Sequence, residues 1–255
     1  MPRFLPWAVA ALLVMALASA TATAQNVTVF AASSLTDAFT ALARSFEAAN
    51  PGTHVLLDFA ASSTLATQLL QGAPADVFAS ANEAQMRRVV DAGLQAGPTT
   101  PFAGNRLVVV VPAGSDLRAF RDLATPGILL VLAAPQVPAG HYADLLLDAA
   151  ARAYGAAFVR KVRNNVVSRE PNVRQTAAKV ALGAADAAIV YATDAHGLSN
   201  VRSILVPASL QPTILYPLVT LKGAASPATV QAFRDFVLSP AGRTTLATFG
   251  FTAPP

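Results

Sequence analysis

Two nearly identical stretches stand near the start of the chain, Phe30-Ala31-Ala32-Ser33-Ser34-Leu35 and Phe59-Ala60-Ala61-Ser62-Ser63-Thr64-Leu65. Each copy stands between an apolar run typical of a strand and an amphipathic pattern typical of a helix. The strands are predicted over 27–32 and 54–60, and the helices over 36–49 and 65–71. Both copies therefore place serine hydroxyls where a strand turns into a helix.

A strand-to-helix turn that carries serine suits an anion. The first N–H groups of a helix have no partner inside it, and the helix dipole is positive there. Serine is also a favoured helix N-cap, so each copy alone has an ordinary structural explanation. A duplication unrelated to binding is a further alternative. The occurrence of two copies in successive strand-helix units favours a binding site.

Strand and helix patterns alternate through the rest of the chain, which is typical of an α/β protein with a mainly parallel sheet. Further strands are predicted over 75–80, 106–112, 129–133, 166–168 and 187–191. Further helices are predicted over 83–92, 141–154, 173–182, 227–238 and 240–249. In open α/β sheets ligands bind beyond the carboxyl ends of the strands, which is where both serine turns are expected.

The chain is predicted to fold as two lobes with a ligand cleft between them. A stretch rich in glycine and proline over 97–105 leads into the apolar strand 106–112, which we interpret as the crossing into a second lobe. The segment 207–216 is the predicted return crossing. The predicted lobes are lobe I, formed by residues 25–105 with 213–255, and lobe II, formed by residues 106–212.

Residues 1–24 have the pattern of a signal peptide. Arg3 gives a charged start, residues 5–18 are almost wholly apolar, and Ala22-Thr23-Ala24 is a small-x-small cleavage site. The apolar run is shorter than the ~20 residues of a membrane span, and an uncleaved anchor is the alternative. The chain has no cysteine for a disulfide or a lipid anchor. We therefore expect a free periplasmic protein that is cleaved near Ala24 and is not a lipoprotein.

Composition and motifs argue against several other classes of protein. The formal net charge is +4, and the basic residues lie in short groups without interleaved aromatics, so no nucleic-acid partner is expected. Three isolated histidines give no metal-ligand spacing. The chain has neither a G-x-x-x-x-G-K loop nor a G-x-S-x-G elbow, and an exported serine hydrolase stays only as an alternative. We expect neither catalysis nor a cofactor.

Six phrases in a fixed order carry a family resemblance. They are Val27-Thr28-Val29-Phe30-Ala31-Ala32-Ser33-Ser34-Leu35, Ala61-Ser62-Ser63-Thr64-Leu65-Ala66, Gly72-Ala73-Pro74-Ala75-Asp76-Val77-Phe78, Val137-Pro138-Ala139-Gly140, Asn172-Val173-Arg174 and Ile189-Val190-Tyr191-Ala192-Thr193-Asp194-Ala195. Together they resemble the periplasmic molybdate-binding proteins of ABC transporters, over about residues 26–251. The resemblance implies a type II periplasmic-binding-protein fold with two crossing segments, and molybdate or tungstate as ligand. It also implies a monomer that delivers this ligand to a membrane permease.

The resemblance further implies which groups hold the oxyanion. The expected donors are the hydroxyls of Ser34, Ser62 and Tyr191 and the backbone N–H groups of Ala139 and Val173. Ser33 and Ser63 are additional candidates. Ser33 stands at a position where many relatives have alanine or glycine. Some archaeal relatives carry carboxylates at the positions of Ala139 and Val173 and surround the metal with six oxygens. Both positions are apolar here, so molybdenum is expected only within a four-coordinate oxyanion, with no direct protein ligand.

Elementary chemistry supports a site made of donors. The oxygens of a fully deprotonated dianion only accept hydrogen bonds, so a matched site needs donors and no carboxylate. Asp37, Asp58 and Asp76 stand near the serine turns in sequence, and surface or cap positions are expected for them. Sulfate is the main alternative ligand, because it is also a proton-free tetrahedral dianion and a small difference in size is worth only ~1–3 kcal/mol.

Overall fold

Ten strands and nine α-helices alternate along residues 25–254, the part of the chain that the computed structural model describes. The strands are β1 Gln25–Ala32, β2 Thr53–Ala60, β3 Val77–Ala79, β4 Thr100–Asn105, β5 Leu107–Pro112, β6 Leu130–Ala133, β7 Val166–Glu170, β8 Ala187–Tyr191, β9 Val201–Leu205 and β10 Ile214–Thr220. The helices are α1 Thr36–Ala49, α2 Ser62–Leu70, α3 Glu83–Asp91, α4 Pro138–Tyr154, α5 Ala156–Asn164, α6 Val173–Ala181, α7 Ala192–Ala195, α8 Pro227–Leu238 and α9 Pro240–Thr248. The predicted signal peptide lies outside the described residues. None of the described helices has the length and apolar character needed to cross a membrane.

The strands form two five-stranded sheets. The first has the order β2-β1-β3-β10-β4, and the second has the order β7-β6-β8-β5-β9. The first three strands of each sheet are parallel, whereas β10 and β5, which arrive from the other sheet, run antiparallel to them. A strand that enters at the carboxyl edge has to run against its neighbours. The sheets are therefore mixed, where the sequence pattern predicts mainly parallel ones.

Helices cover both faces of the first sheet, which explains why its interior strand β1 is apolar and buried from Val29 to Ala32. Val29 and Ala31 of β1 pack into the core formed with α1, α8 and α9. Phe30 points to the opposite face and packs with Leu65 of α2 and Met86 of α3. Burial on both faces fixes β1 in its register, and with it the position of the serine turn at its carboxyl end.

Several elements begin or lie elsewhere than the sequence pattern predicts. Helix α2 begins at Ser62 rather than at residue 65, and α4 begins at Pro138 rather than at residue 141. Proline suits the first helical position, because its fixed φ is helical and its missing N–H would be unpaired there. The pattern does not predict β4, α5 or β9. Pro101 and Gly104 give β4 the composition of a loop.

A carboxyl group is buried next to the connections between the two sheets. Asp194 of α7 is 1% exposed, and neither of its carboxylate oxygens accepts a hydrogen bond from another described residue. Burial raises the pKa of Asp194 to about 7, while the Arg174 guanidinium lowers it and the Asp37 carboxylate raises it further. The ionised form of Asp194 is therefore the costly form in the folded protein.

We expect the free energy of unfolding to fall as the pH rises from 3.8 to about 7, and to level off above that range. An acid whose pKa is raised on folding stabilises the fold below its ordinary pKa of 3.8 and loses that contribution as the pH passes its folded value. At ~1.4 kcal/mol per pKa unit, the loss amounts to a few kcal/mol. Asp194→Asn should remove this dependence and stabilise the protein above neutral pH. Urea unfolding at several pH values from 3.8 to above 7 measures the effect.

The fully exposed Asp116 provides the matched control for loss of one carboxylate. Asp116→Asn should keep the pH profile of the wild type. If Asp194→Asn and the wild type lose stability in parallel between acidic and alkaline pH, the Asp194 carboxyl is not the group responsible.

Candidate functional site

A small cavity lies where the carboxyl ends of β1 and β2 meet the starts of helices that belong to the second sheet. Its atom-free space, which includes the part open to solvent, is about 180 Å³. None of the described residues in its wall is charged. The wall residues are Ala32, Ser33, Ser34, Ala61, Ser62, Ala81, Val137, Pro138, Ala139, Val173 and Tyr191. A cavity of this size suits a small ion.

The cavity brings together all five residues that the family resemblance implies, and Ser33 with them. Ser63 lies outside it and lines a neighbouring groove with Arg88. Each of the five follows or ends a parallel strand, and parallel strands of one sheet end at the same edge. Their places are the 3-10 turn after β1 for Ser34, the starts of α2, α4 and α6 for Ser62, Ala139 and Val173, and the end of β8 for Tyr191. Direct contact of these residues with a ligand stays a prediction.

The start of α4 is held close to the preceding strand, so that its backbone reaches the cavity. Pro138 takes the first helical position and has no N–H, so the Ala139 N–H is the first that the helix offers. A Cβ on Gly140 would lie 2.1 Å from the Ala134 carbonyl oxygen, and only glycine permits this approach of backbone to backbone. The phrase that contains these residues thus has a structural reason at each position.

Helix α6 presents Val173 in a similar way. The Asn172 side chain accepts a hydrogen bond from the Gln175 N–H at 2.9 Å, which leaves the Val173 N–H without a partner inside the helix. The next residue, Arg174, forms an ion pair with Asp37 of α1 at 2.8 Å. This ion pair joins the two lobes beside the cavity, and it neutralises the Asp37 carboxylate with the Arg174 guanidinium.

The serine hydroxyls of Ser34 and Ser62 do not cap their helices. The N-cap positions are the alanines that precede the two turns, and no side chain caps either start. Ser62 Oγ accepts a hydrogen bond from the Ala81 N–H at 2.9 Å. Ser34 Oγ lies 3.0 Å from the hydroxyl of Tyr216. The ordinary capping explanation of the serine turns is therefore wrong for these two residues.

Tyr191 brings a phenol to the cavity that has no protein partner. Its hydroxyl is buried and forms no hydrogen bond with another described residue. Burial raises the pKa of Tyr191 well above its ordinary value, and the neighbouring Tyr216 and Tyr142 add to the shift. The phenol therefore stays protonated near neutral pH and has a proton to donate. Buried hydroxyls without a partner are rare, which singles this one out as a donor for a ligand.

The three carboxylates near the serine turns do not line the cavity. Asp37 pairs with Arg174, and Asp76 Oδ2 accepts a hydrogen bond from the Thr28 N–H at 2.7 Å. Asp58 is exposed on β2. Within residues 25–254 no three His, Asp or Glu side chains come together as a metal-cation site. The wall of the cavity thus offers hydroxyl and N–H groups without a carboxylate.

Sequence reasoning misses three residues that support the serines. Ala81 acts through its backbone N–H, which no side-chain pattern reports. Tyr216 and Asn105 lie in β10 and β4, in segments interpreted only as crossings between lobes. A lone tyrosine in an apolar strand that starts at the cleft is the one signal that points to Tyr216. Its ring lies edge-on to Tyr191, with 5.8 Å between the ring centroids.

Comparison with known proteins identifies the family. Residues 27–252 match the family described as "Bacterial extracellular solute-binding protein". The molybdate-binding protein ModA of Mycobacterium tuberculosis is 41% identical over 234 residues, which cover 91% of this chain and 86% of that protein. Both matches span nearly all of the described chain, so they concern the whole two-lobe unit.

Two solved structures share the fold, each with a TM-score of 0.78. The periplasmic molybdate-binding protein of Azotobacter vinelandii is 22% identical and covers 90% of this chain and 100% of its own. The sulfate-binding protein SubI of Mycobacterium tuberculosis is 24% identical and covers 90% and 87%. Both confirm the two-lobe α/β fold of the periplasmic binding proteins. The family match and the 41% identity show that the chain belongs to the ModA-like bacterial extracellular solute-binding proteins.

Proposed function

We propose that the protein binds molybdate, and tungstate in the same site, and delivers the oxyanion to the permease of an ABC transporter. The observation that carries this proposal is the uncharged cavity between the lobes, where hydroxyl and N–H groups gather without a carboxylate. The proposed ligand contacts are Ser34, Ser62, Ala139, Val173 and Tyr191, with Ser33 beside them. The names of the Mycobacterium and Azotobacter proteins support molybdate as the ligand.

The affinity of such a site comes from oriented dipoles. No cationic side chain stands among the described residues of the wall, so the N–H and O–H groups have to balance the charge of the anion. Hydrogen bonds to charged groups contribute ~1.5–3 kcal/mol each. A handful of them supports a binding free energy of about −8 to −12 kcal/mol after the cost of association. Exclusion of water between the lobes strengthens each bond.

The proposal includes the setting in which the protein works. Export through residues 1–24, with cleavage near Ala24 and without a lipid anchor, fits a chain that has no cysteine. We propose a monomeric carrier without catalytic activity or cofactor. The division of the strands between two sheets supports residues 25–105 with 213–255 as lobe I and residues 106–212 as lobe II.

Sulfate is the second candidate ligand. SubI matches the fold with the same TM-score as the Azotobacter protein, so the fold alone does not separate the two anions. Calorimetric titration with molybdate, tungstate, sulfate and phosphate, at fixed pH and salt, ranks the candidates. Molybdate and tungstate should bind most tightly. Sulfate binding as tight as that of molybdate would overturn the proposed ligand.

Ser34→Ala and Ser62→Ala should each weaken molybdate binding by about 1–3 kcal/mol, because each removes a donor to a charged group. The melting temperature of the ligand-free protein should change little. Ser63→Ala is the matched control, since Ser63 stands next to Ser62 but lies outside the cavity. Calorimetry and thermal unfolding measure both effects. Lower melting temperatures with unchanged affinity would assign the two serines a structural role.

Phosphate should bind far more weakly than molybdate. At neutral pH phosphate keeps a proton, and a site of donors leaves that O–H without an acceptor. Val173→Asp brings a carboxylate to the cavity, so it should weaken molybdate binding more than about tenfold, or ~1.4 kcal/mol. The difference between the molybdate and phosphate affinities should become smaller.

The neutral variant Val173→Asn has the same shape and is the control for this charge. It should retain more molybdate affinity than Val173→Asp when both are titrated at the same pH and salt. Equal affinities of the two variants and the wild type would mean that the start of α6 does not face the ligand.

A further inference from the structure

A chain of hydrogen bonds runs from the backbone to the Ser34 hydroxyl. The Arg106 N–H donates to Asn105 Oδ1 at 2.8 Å. Asn105 Nδ2 lies 3.3 Å from the Tyr216 hydroxyl oxygen, which in turn lies 3.0 Å from Ser34 Oγ. Asn105 Nδ2 also donates to Thr193 Oγ1 at 2.9 Å. We propose that Tyr216, oriented by Asn105, is a positioning residue that turns the Ser34 proton toward the oxyanion and so sets selectivity for fully deprotonated anions.

The direction of this chain follows from its first link. A backbone N–H can only donate, so the Asn105 atom that meets the Arg106 N–H is the carbonyl oxygen. The amide nitrogen then has to face Thr193 and Tyr216, and the Tyr216 oxygen has to accept. The hydroxyl proton of Tyr216 is then left to donate a hydrogen bond to Ser34 Oγ. Once Ser34 Oγ accepts that bond, the Ser34 proton is free for the cavity.

The hydrogen-bond geometry leaves the Tyr216 proton to Ser34. The hydroxyl is fully buried, and its hydrogen-bond partners among residues 25–254 are Asn105 and Ser34. The carboxylate oxygens of Asp194 accept no hydrogen bond. Burial raises the pKa of Tyr216 well above its ordinary value, which agrees with a phenol that keeps its proton. The phenol that donates to Ser34 therefore stays protonated near neutral pH.

The second serine is oriented in the same sense by a different group. Ser62 Oγ accepts from the Ala81 N–H at 2.9 Å, so the Ser62 proton also remains for the cavity. The two serine turns thus orient their hydroxyls with different donors, a backbone N–H for Ser62 and a tyrosine hydroxyl for Ser34. Only the tyrosine can be removed by substitution.

Orientation of the serine matters because a free hydroxyl both donates and accepts. A Ser34 hydroxyl that can rotate is able to accept a hydrogen bond from a protonated anion such as hydrogen phosphate. A Ser34 whose oxygen accepts from Tyr216 has one lone pair left and its proton aimed at the cavity, so it meets this anion mainly as a donor. Tyr216 therefore changes the ratio of the affinities for deprotonated and protonated anions. A residue that only supports the fold does not change this ratio. This inference rests on the proposed oxyanion function.

The test is a double-mutant cycle with Tyr216→Phe and Ser34→Ala, titrated with molybdate and with phosphate near neutral pH. Tyr216→Phe should weaken molybdate binding by about three- to tenfold, as loss of one hydrogen bond does, and leave phosphate binding within about twofold. In the Ser34→Ala background, Tyr216→Phe should change molybdate binding by less than about twofold, because the group that it positions is gone. Tyr154, whose ring lies under the Arg121 guanidinium and outside the cavity, provides the control, and Tyr154→Phe should change neither affinity.

Asn105→Asp gives a second test that keeps the phenol. A carboxylate at this position accepts the Tyr216 proton, which makes the Tyr216 oxygen accept from Ser34 and turns the Ser34 proton away from the anion. Molybdate binding should then fall more than in Tyr216→Phe. Part of the loss should disappear in the Ser34→Ala background, whereas plain charge repulsion persists there.

The outcomes separate the two proposals. A wild-type protein that binds neither molybdate nor tungstate overturns the proposed function. A wild type that binds molybdate, with Tyr216→Phe lowering the molybdate and phosphate affinities by the same factor, overturns the role of Tyr216 alone. The role of Tyr216 is also overturned if Tyr216→Phe weakens molybdate binding by the same factor in the wild type and in the Ser34→Ala background.

Discussion

A dianion that leaves water must have its oxygens met by hydrogen-bond donors, and this requirement governs the structure around the cavity. The described wall of the cavity contains no charged side chain, so N–H and O–H dipoles are the donors that it offers to such a ligand. Such dipoles are available where helices begin, because the first N–H groups have no intrahelical partner. Parallel strands that end at one edge bring several helix starts to one point. The strand order of both sheets is therefore what makes an uncharged anion site feasible.

Residues with no donor of their own keep the donors in place. Gly140 lets the start of α4 approach the Ala134 carbonyl, where any side chain would push the Ala139 N–H away from the cavity. Asn172 caps α6 through Gln175 and leaves the Val173 N–H unengaged. The apolar identity of positions 139 and 173 matters in the same way, because a carboxylate there would supply acceptors. Selectivity in such a site depends on backbone geometry as much as on side-chain chemistry.

Sequence patterns predict most of the fold and much of the candidate site, but not the supports behind it. Helix α1 spans Thr36–Ala49 and β8 spans Ala187–Tyr191, as the sequence pattern predicts, because α1 packs one regular apolar face on the core and β8 is buried on both faces. The mixed sheets escape prediction, since strand direction follows from where a chain crosses between lobes and not from local composition. Five site residues follow from the resemblance, whereas Tyr216 acts on Ser34 across 182 positions of sequence. A contact of that separation exists only once both strands of the first sheet are in register.

The contacts between the lobes indicate what keeps the cavity enclosed. The side chains of the Arg174–Asp37 pair are 31% and 49% exposed, so this pair contributes only ~0–1 kcal/mol. The exposed hydrogen bond from Gln85 to the Gln136 carbonyl is long, at 3.4 Å, and adds little. Donors from both lobes to one dianion contribute ~1.5–3 kcal/mol each and outweigh these contacts. An anion that leaves one donor unused, or brings a proton without an acceptor, weakens binding and enclosure together. Under the proposed function, enclosure of the cavity and choice of the anion are therefore one equilibrium, set by the match between oriented donors and a proton-free ligand.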